Sequence, residues 1–347
     1  MSSGSRARLA LGGLLGVALL AFFLRGVEWS ALGAAFRDAS KLELTLVVLL
    51  TLFTYAVRAW RWGYLLQPLA RVPFKDLFSV TVIGFMSGLL VPRAGEILRP
   101  YLIGRRHAVK TSAAFASIIL ERLFDLITML LLFFSYLYIL PLPEQQTRGP
   151  LLGFLKVGGA IAGAGALAVT LILAAFHARA DQVMAFLERL LERLPERFAR
   201  PIAGAVRAFA QGLAVLQAPL RHLVAIAAQS LLTWLSIAAG VYWTNRAFGL
   251  DLPFHTAFLI LGFLTVGVAV PTPGNVGGFH ESYRIALTQA FGVAPGPAVA
   301  AGLALHALSN LPVLVLGIVF LGREGLSLGK VATITEAASK DSQEKNE

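Results

Sequence analysis

Long uninterrupted apolar runs limit the fold of this chain more than any other feature. LALGGLLGVALLAFFL runs from Leu9 to Leu24 and LLFFSYLYIL from Leu131 to Leu140. With their flanks these runs approach the ~20 residues a helix needs to cross a hydrocarbon core. In lipid the backbone must satisfy its own amide and carbonyl groups, so runs of this length imply helices. Only 14% of residues are charged, against roughly 25% in soluble domains, and 57% are hydrophobic. The expected class is an all-α integral membrane protein.

Arg6 and Arg8 precede the first run as in a signal peptide, but the following Leu24-Arg25-Gly26-Val27-Glu28 lacks a small-x-small cleavage pattern. A retained helix is expected. The chain has no cysteine, which removes disulfides and thiol-based metal or redox chemistry. A formal net charge of +11 could suggest nucleic acid, yet the arginines lie between hydrophobic segments, not on a soluble module with interleaved aromatics. Nucleic acid is not an expected partner. Anionic membrane lipids are.

Hydropathy places full spans near residues 8–25, 42–62, 113–140, 151–176, 220–248 and 297–321. Two further apolar stretches, 74–92 and 254–271, each run into a Pro/Gly break, VPRAGE and VPTPGNVGGFHE, followed by a short mixed segment. Irregular backbone at membrane depth needs protein or a water-filled cavity to satisfy it. The sequence therefore predicts about six full transmembrane helices plus two re-entrant hairpins. With the N-terminus inside, 22 of the 30 Lys and Arg fall in cytoplasmic segments, 7 in outer ones, and Arg122 within a span. That bias supports the topology, with both termini cytoplasmic and a bacterial inner membrane as the location. Residues 181–217 alternate charged and apolar positions at helical spacing and read as amphipathic helices on the cytoplasmic face, or else as a soluble linker bundle. Residues 1–330 read as one polytopic domain, and the polar 331–347 tail as disordered.

The chain also matches itself. At an offset of 185, Glu96 falls on Glu281, Arg99 on Arg284, Glu121 on His306 and Asp125 on Asn310; before the break the offset is 179, aligning Gly88 with Gly267 and Pro92 with Pro271. This predicts two repeats, about 74–140 and 254–321, inverted with respect to each other as in transporters. At ~1.5 Å rise per residue, Glu96, Glu121 and His306 all lie ~12–14 Å from a membrane face, near one level.

Ionisable groups at that depth cost at least ~2.5–3.5 kcal/mol each unless paired or wet, so Arg93, Glu96, Arg99, Glu121, Arg122, Asp125, Glu281 and Arg284, with His306 and Asn310, are candidate substrate-binding residues. Pro92, Gly95, Pro271, Pro273, Gly274 and Gly278 are candidates for shaping the hairpin backbone. The competing reading makes Glu96–Arg99 and Glu281–Arg284 self-neutralising i,i+3 pairs and Glu121, Arg122 and Asp125 a structural clamp. His280, His306 and Glu281 lack a metal-ligand spacing, and TPGNVGG lacks the Lys-Ser/Thr ending of a nucleotide loop, so no metal and no cofactor is expected. Arg58, Trp60, Arg61 and Trp62 read as interface anchors at the end of the second span.

LLVPRAGEILRPYLI, then IILERLFDL, then VPTPGNVGGFHE together resemble the membrane domain of lysyl-phosphatidylglycerol synthase/flippase proteins and their stand-alone relatives, over most of residues 8–325. The resemblance implies a helical flippase-like fold and movement of lipid-linked molecules between leaflets. Bifunctional members continue into a soluble aminoacyl-transferase domain that has no counterpart in this sequence. Lipid aminoacylation is therefore not expected, and an aminoacyl phospholipid cargo is in doubt. The leading expectation is a non-enzymatic transporter of an anionic, zwitterionic or polyprenyl-phosphate-linked lipid, with protons or another ion as candidate coupling. Its rivals are an intramembrane enzyme acting on lipid phosphate and a non-transporting partner of a glycosyltransferase.

Overall fold

The computed structural model describes residues 29–91, 94–140, 150–191, 214–269 and 272–325. Several expectations lie outside these residues: the span at 8–25, Pro92, Arg93, Pro271, the central part of the 181–217 region and the 331–347 tail. Within the described residues the secondary structure is helical and contains no strand. The helices are α1 (Trp29–Asp38), α2 (Lys41–Leu66), α3 (Phe74–Leu90), α4 (Ala94–His107), α5 (Thr111–Tyr138), α6 (Pro150–Leu191), α7 (Leu220–Ala247), α8 (Thr256–Val268), α9 (Gly278–Ile285) and α10 (Pro295–Arg323). Short single turns lie at Ala214–Gln217, Pro273–Asn275 and Ala286–Ala290.

Local sequence sets many of the helix starts. Ser40 Oγ accepts from the Glu43 amide 3.4 Å away and opens α2. Pro73 and Pro219 stand immediately before α3 and α7, and Pro295 begins α10, where a missing N–H costs nothing. Non-helical angles at Arg179 (φ −136°, ψ 29°) kink α6.

Among the described residues four helical stretches are long and apolar enough to cross a bilayer: Lys41–Leu66, Lys156–Ala174, Leu220–Ala247 and Pro295–Arg323. The chain is thus a multi-pass membrane protein. Helix α5 has 28 residues but carries Glu121, Arg122 and Asp125 in its middle. The segments expected to form hairpins are shorter. Helices α3, α4, α8 and α9 have 17, 14, 13 and 8 residues, so the longest rises only about 26 Å.

Helices α2 and α7 form the central pair and run antiparallel. The start of α2 meets the end of α7 through Ser40 N–Ala247 O (3.0 Å) and Glu43–Arg246 (3.4 Å), while His222 at the start of α7 lies 3.1 Å from the Tyr64 carbonyl. Helix α3 packs on α4 and against α10, and α8 packs on α9 and against α5, so each short pair leans on the long helix that follows the other. In both pairs glycines let the backbones touch. A Cβ on Gly95 would strike the carbonyl of Gly84, and one on Gly278 the carbonyl of Gly267. Among the described residues two large apolar cores result, one around Trp62, Ile83, Met86 and Leu98, the other around Leu259, Ile260, Tyr283 and Leu287, with a small third cluster at Leu32, Val299 and Ala300.

Candidate functional site

Between the two cores lies a buried cluster of charge. Glu121, fully buried on α5, accepts from Arg99 Nη1 and Nη2 at 2.9 Å each and from Arg122 Nη2 at 2.7 Å. Asp125, one turn on, accepts from Arg61 Nη1 at 2.7 Å, Arg58 Nη1 at 3.2 Å and the Trp234 indole at 3.2 Å. Arg61 also donates to Ser230 Oγ at 2.8 Å. Helix spacing explains the convergence. Glu121 and Asp125 are four residues apart on α5, and Arg58 and Arg61 three apart on α2, so each pair shares a face.

Aromatic rings floor this cluster. The guanidinium carbon of Arg99 lies 4.3 Å from the centre of the Trp62 ring, whose indole donates to Ser117 Oγ at 3.0 Å. The Phe85 ring faces three guanidiniums at once, those of Arg58 (5.0 Å), Arg99 (5.6 Å) and Arg122 (5.6 Å). Their attraction to its π face offsets part of the cost of holding like charges together.

Two cavities flank Phe85. One of about 190 Å³ is bounded by Gly84, Phe85, Gly95, Glu96, Arg99, Arg122 and Asn275. The other, about 180 Å³, is lined by polar Thr51, Thr54, Tyr55, Arg58, Ser309 and Asn310 among apolar neighbours. Asn275 reaches the first cavity from the tip between α8 and α9, with a left-handed φ of 56° next to Gly274 at 66°. His306 Nε2, 2.7 Å from the Gly274 carbonyl, holds that tip in place.

The expected site residues therefore divide. Glu96, Arg99 and Arg122 share one cavity, with Glu121 and Asp125 directly behind; Asn310 lines the other. Among the described residues Glu96 has no ion pair within 4 Å, and Arg99 turns to Glu121 instead, so the expected Glu96–Arg99 pair does not form. Glu281 and Arg284 do pair with each other, Arg284 Nε donating to Oε2 at 2.9 Å, but neither lines these two cavities. His306 supports backbone, and among the described residues no group of acidic or histidine side chains is placed to hold a metal.

The two glycine contacts are related by one spacing. The glycine contacts match Gly84 with Gly267 and Gly95 with Gly278 at a single offset of 183 (267 − 84 and 278 − 95). In this register Arg99 corresponds to Ser282, and each of these side chains lies where a Cβ on the facing glycine would go. The E-x-x-R match at 185 differs from this spacing by two residues.

Arg58, Arg61 and Trp62 are buried, at 8%, 0% and 0% exposed, and so are not interface anchors; of the four, Trp60 alone is exposed, at 48%. Their position at the end of an apolar run concealed them. The usable signal was the i,i+3 arginine spacing matched to two carboxylates on another span. Phe85 and Asn275 carried no such signal, because each matters only through what meets it across the bundle.

The model of the lysylphosphatidylglycerol synthase transmembrane region matches residues 9–317. The chain belongs to this family. Proteins similar to it include one named Glycosyltransferase AglD from Haloferax volcanii, 23% identical over 343 residues, covering 90% of this chain and 54% of that protein. Another is a UPF0104 membrane protein from Methanothermobacter thermautotrophicus, 22% identical over 334 residues, covering 91% of this chain and 96% of that protein. The chain thus spans about half of the first relative and nearly all of the second.

Proposed function

We propose that this family member moves a phosphate-bearing lipid between the leaflets of the cytoplasmic membrane. The observation that carries this reading is the arginine-rich cluster opening into a cavity at the tips of two short helix pairs. A headgroup crossing hydrocarbon unaided loses its hydration, and a polar, cationic cavity at mid-depth lowers that cost.

The two pairs act as re-entrant hairpins in an inverted repeat. Asp76 on α3 binds Arg106 and His107 on α4 at the open end of the first pair, where Glu324 at the end of α10 also meets Arg106. The open end of the second pair lies beside the far end of the bundle, with Tyr283 donating to Asn245 at 2.6 Å and the Tyr136 ring 5.9 Å from His255. Because α2 and α7 run antiparallel, these contacts support openings toward opposite faces, as alternating access requires. Arg58, Arg61 and Arg99 belong to the buried cluster, which removes three from the cytoplasmic count of 22 and leaves 19 (22 − 3) against 7 outside. The excess still supports cytoplasmic termini. Glu121 and Asp125 are committed to ion pairs, so Glu96 is the candidate proton carrier for any ion coupling.

The test is transport in liposomes without ATP, reading dithionite-accessible fluorescence of headgroup-labelled lipids for wild type, Glu96→Gln and Arg122→Gln. Faster exchange by wild type, lost in Arg122→Gln, is the expected result. Folded, reconstituted wild type indistinguishable from empty vesicles over all phospholipids and polyprenyl phosphates, with and without a proton gradient, would end the transport reading.

A second reading, a membrane partner of a glycosyltransferase, draws on the similarity to a protein of that name covering 54% of its length. Co-purification with a glycosyltransferase, without lipid exchange, would favour it.

A further inference from the structure

The charges around the first cavity do not balance. Among the described residues Arg58, Arg61, Arg99 and Arg122 face Glu96, Glu121 and Asp125, four cations against three anions. A guanidinium does not shed its proton in a protein, so this surplus is not relieved by deprotonation. A bound anion would balance it. We propose that the cavity bounded by Glu96, Arg99, Arg122 and Asn275 binds a phosphate group carrying one negative charge, as part of a lipid headgroup. This deepens, and rests on, the reading that headgroups enter the bundle.

Three observations point to the ligand. Arg99 is 2% exposed, and among the described residues neither its Nε nor that of Arg122 has a partner. The Arg122 side chain keeps 40% of its surface open while lining the cavity, although Glu121 holds its Nη2. A guanidinium with donors to spare matches phosphate oxygens better than any other side chain does. The cavity also adjoins the first turn of α4, at Gly95 and Glu96, where the helix dipole adds partial positive charge. Its wall at Gly88 is open, with nothing within 4 Å of where a Cβ would stand, and about 190 Å³ exceeds the ~150 Å³ of a cavity that admits benzene, enough for a phosphate group.

Glu96 sets the charge of the occupant. Its carboxylate lies on the cavity wall and repels a second negative charge, which disfavours a dianionic phosphate monoester. A zwitterionic headgroup, with no net charge, leaves the arginine surplus uncompensated. A singly charged phosphodiester satisfies both conditions, and the Asn275 amide offers it a further donor.

The test is titration calorimetry on the full chain in neutral detergent, with dihexanoyl-phosphatidylmethanol (one negative charge), dihexanoyl-phosphatidylcholine, dihexanoyl-phosphatidic acid and inorganic phosphate as probes. The phosphatidylmethanol is expected to bind at least tenfold tighter than the phosphatidylcholine. Arg122→Gln should lose that preference, and Arg122→Lys, which keeps the charge without the fork, should retain part of it. Glu96→Gln should bring the phosphatidic acid level with the phosphatidylmethanol. Equal binding of anionic and zwitterionic probes, or unchanged selectivity in folded Arg122→Gln, would overturn the proposal. Inorganic phosphate binding as tightly as the lipid analogue would overturn the headgroup as its source. Binding without interleaflet exchange would leave this site standing and remove the transport reading; exchange without anion preference would do the reverse.

Discussion

Replacing Glu121 by glutamine should unfold the cluster more effectively than any change at Glu96. Glu121 is fully buried and receives four arginine nitrogens, two from Arg99 at 2.9 Å, Arg122 Nη2 at 2.7 Å and Arg61 Nη2 at 3.8 Å. Glutamine retains the size but offers one acceptor oxygen and turns two N–H donors toward guanidiniums that are themselves only donors. Removing one side of a buried pair costs about 3–5 kcal/mol, or two to more than three powers of ten in the folding equilibrium. Glu96 is half-buried, with no ion pair within 4 Å among the described residues, so Glu96→Gln should cost less than about 1 kcal/mol. Reversible unfolding in mixed micelles of dodecyl sulfate and mild detergent, followed by circular dichroism, compares the two. The double variant Arg99→Met, Glu121→Leu should recover part of the loss, because the apolar pair removes the Arg99 charge together with its partner, while Arg122 and Arg61 still lose a contact. Stability of Glu121→Gln within 1 kcal/mol of wild type, or equal to that of Glu96→Gln, would refute the view that Glu121 anchors the arginines.

The glycine contacts make a second stability prediction: Gly95→Ala and Gly278→Ala should each cost about 1–3 kcal/mol by forcing a hairpin apart, whereas Gly240→Ala, with nothing within 4 Å of its Cβ, should be neutral or stabilising, as the same unfolding assay reads. Phe85→Leu removes the ring shared by three guanidiniums and should destabilise by about 1–2 kcal/mol, while opening the two cavities to each other and so weakening headgroup selectivity in calorimetry. Arg106→Gln breaks the partly exposed ties to Asp76 and Glu324 and should cost about 1 kcal/mol at low ionic strength, less as salt is added, which a melt series over salt concentration checks.

Much of this protein was legible one residue at a time. Apolar runs near ~20 residues imply membrane helices whatever surrounds them, because lipid offers the backbone no partners. The Pro/Gly breaks at VPRAGE and VPTPGNVGG read as interruptions for an equally local reason: helix interiors tolerate neither residue well. Glu121, Arg122 and Asp125 stood out on cost alone, and the structure places all three at one centre. The family resemblance, carried by three motifs, likewise needed no coordinates, and the match over residues 9–317 agrees with it.

What the sequence did not determine was partnership. By spacing Arg99 suits Glu96 on its own helix, and only the packing of α4 against α5 gave it to Glu121. Arg58 and Arg61 occupied a position typical of interface anchors until α2 closed on α5 and α7 and buried them. The letters align at offsets of 185 and 179, whereas the touching glycine pairs Gly84–Gly95 and Gly267–Gly278 are related by 183, a spacing visible only in the packing. Helix formation and membrane insertion depend on the composition of a continuous stretch, so the sequence specifies them directly. An ion pair between helices depends on the relative rotation and depth of two helices, set by every contact along them, and so it emerged only when the bundle assembled.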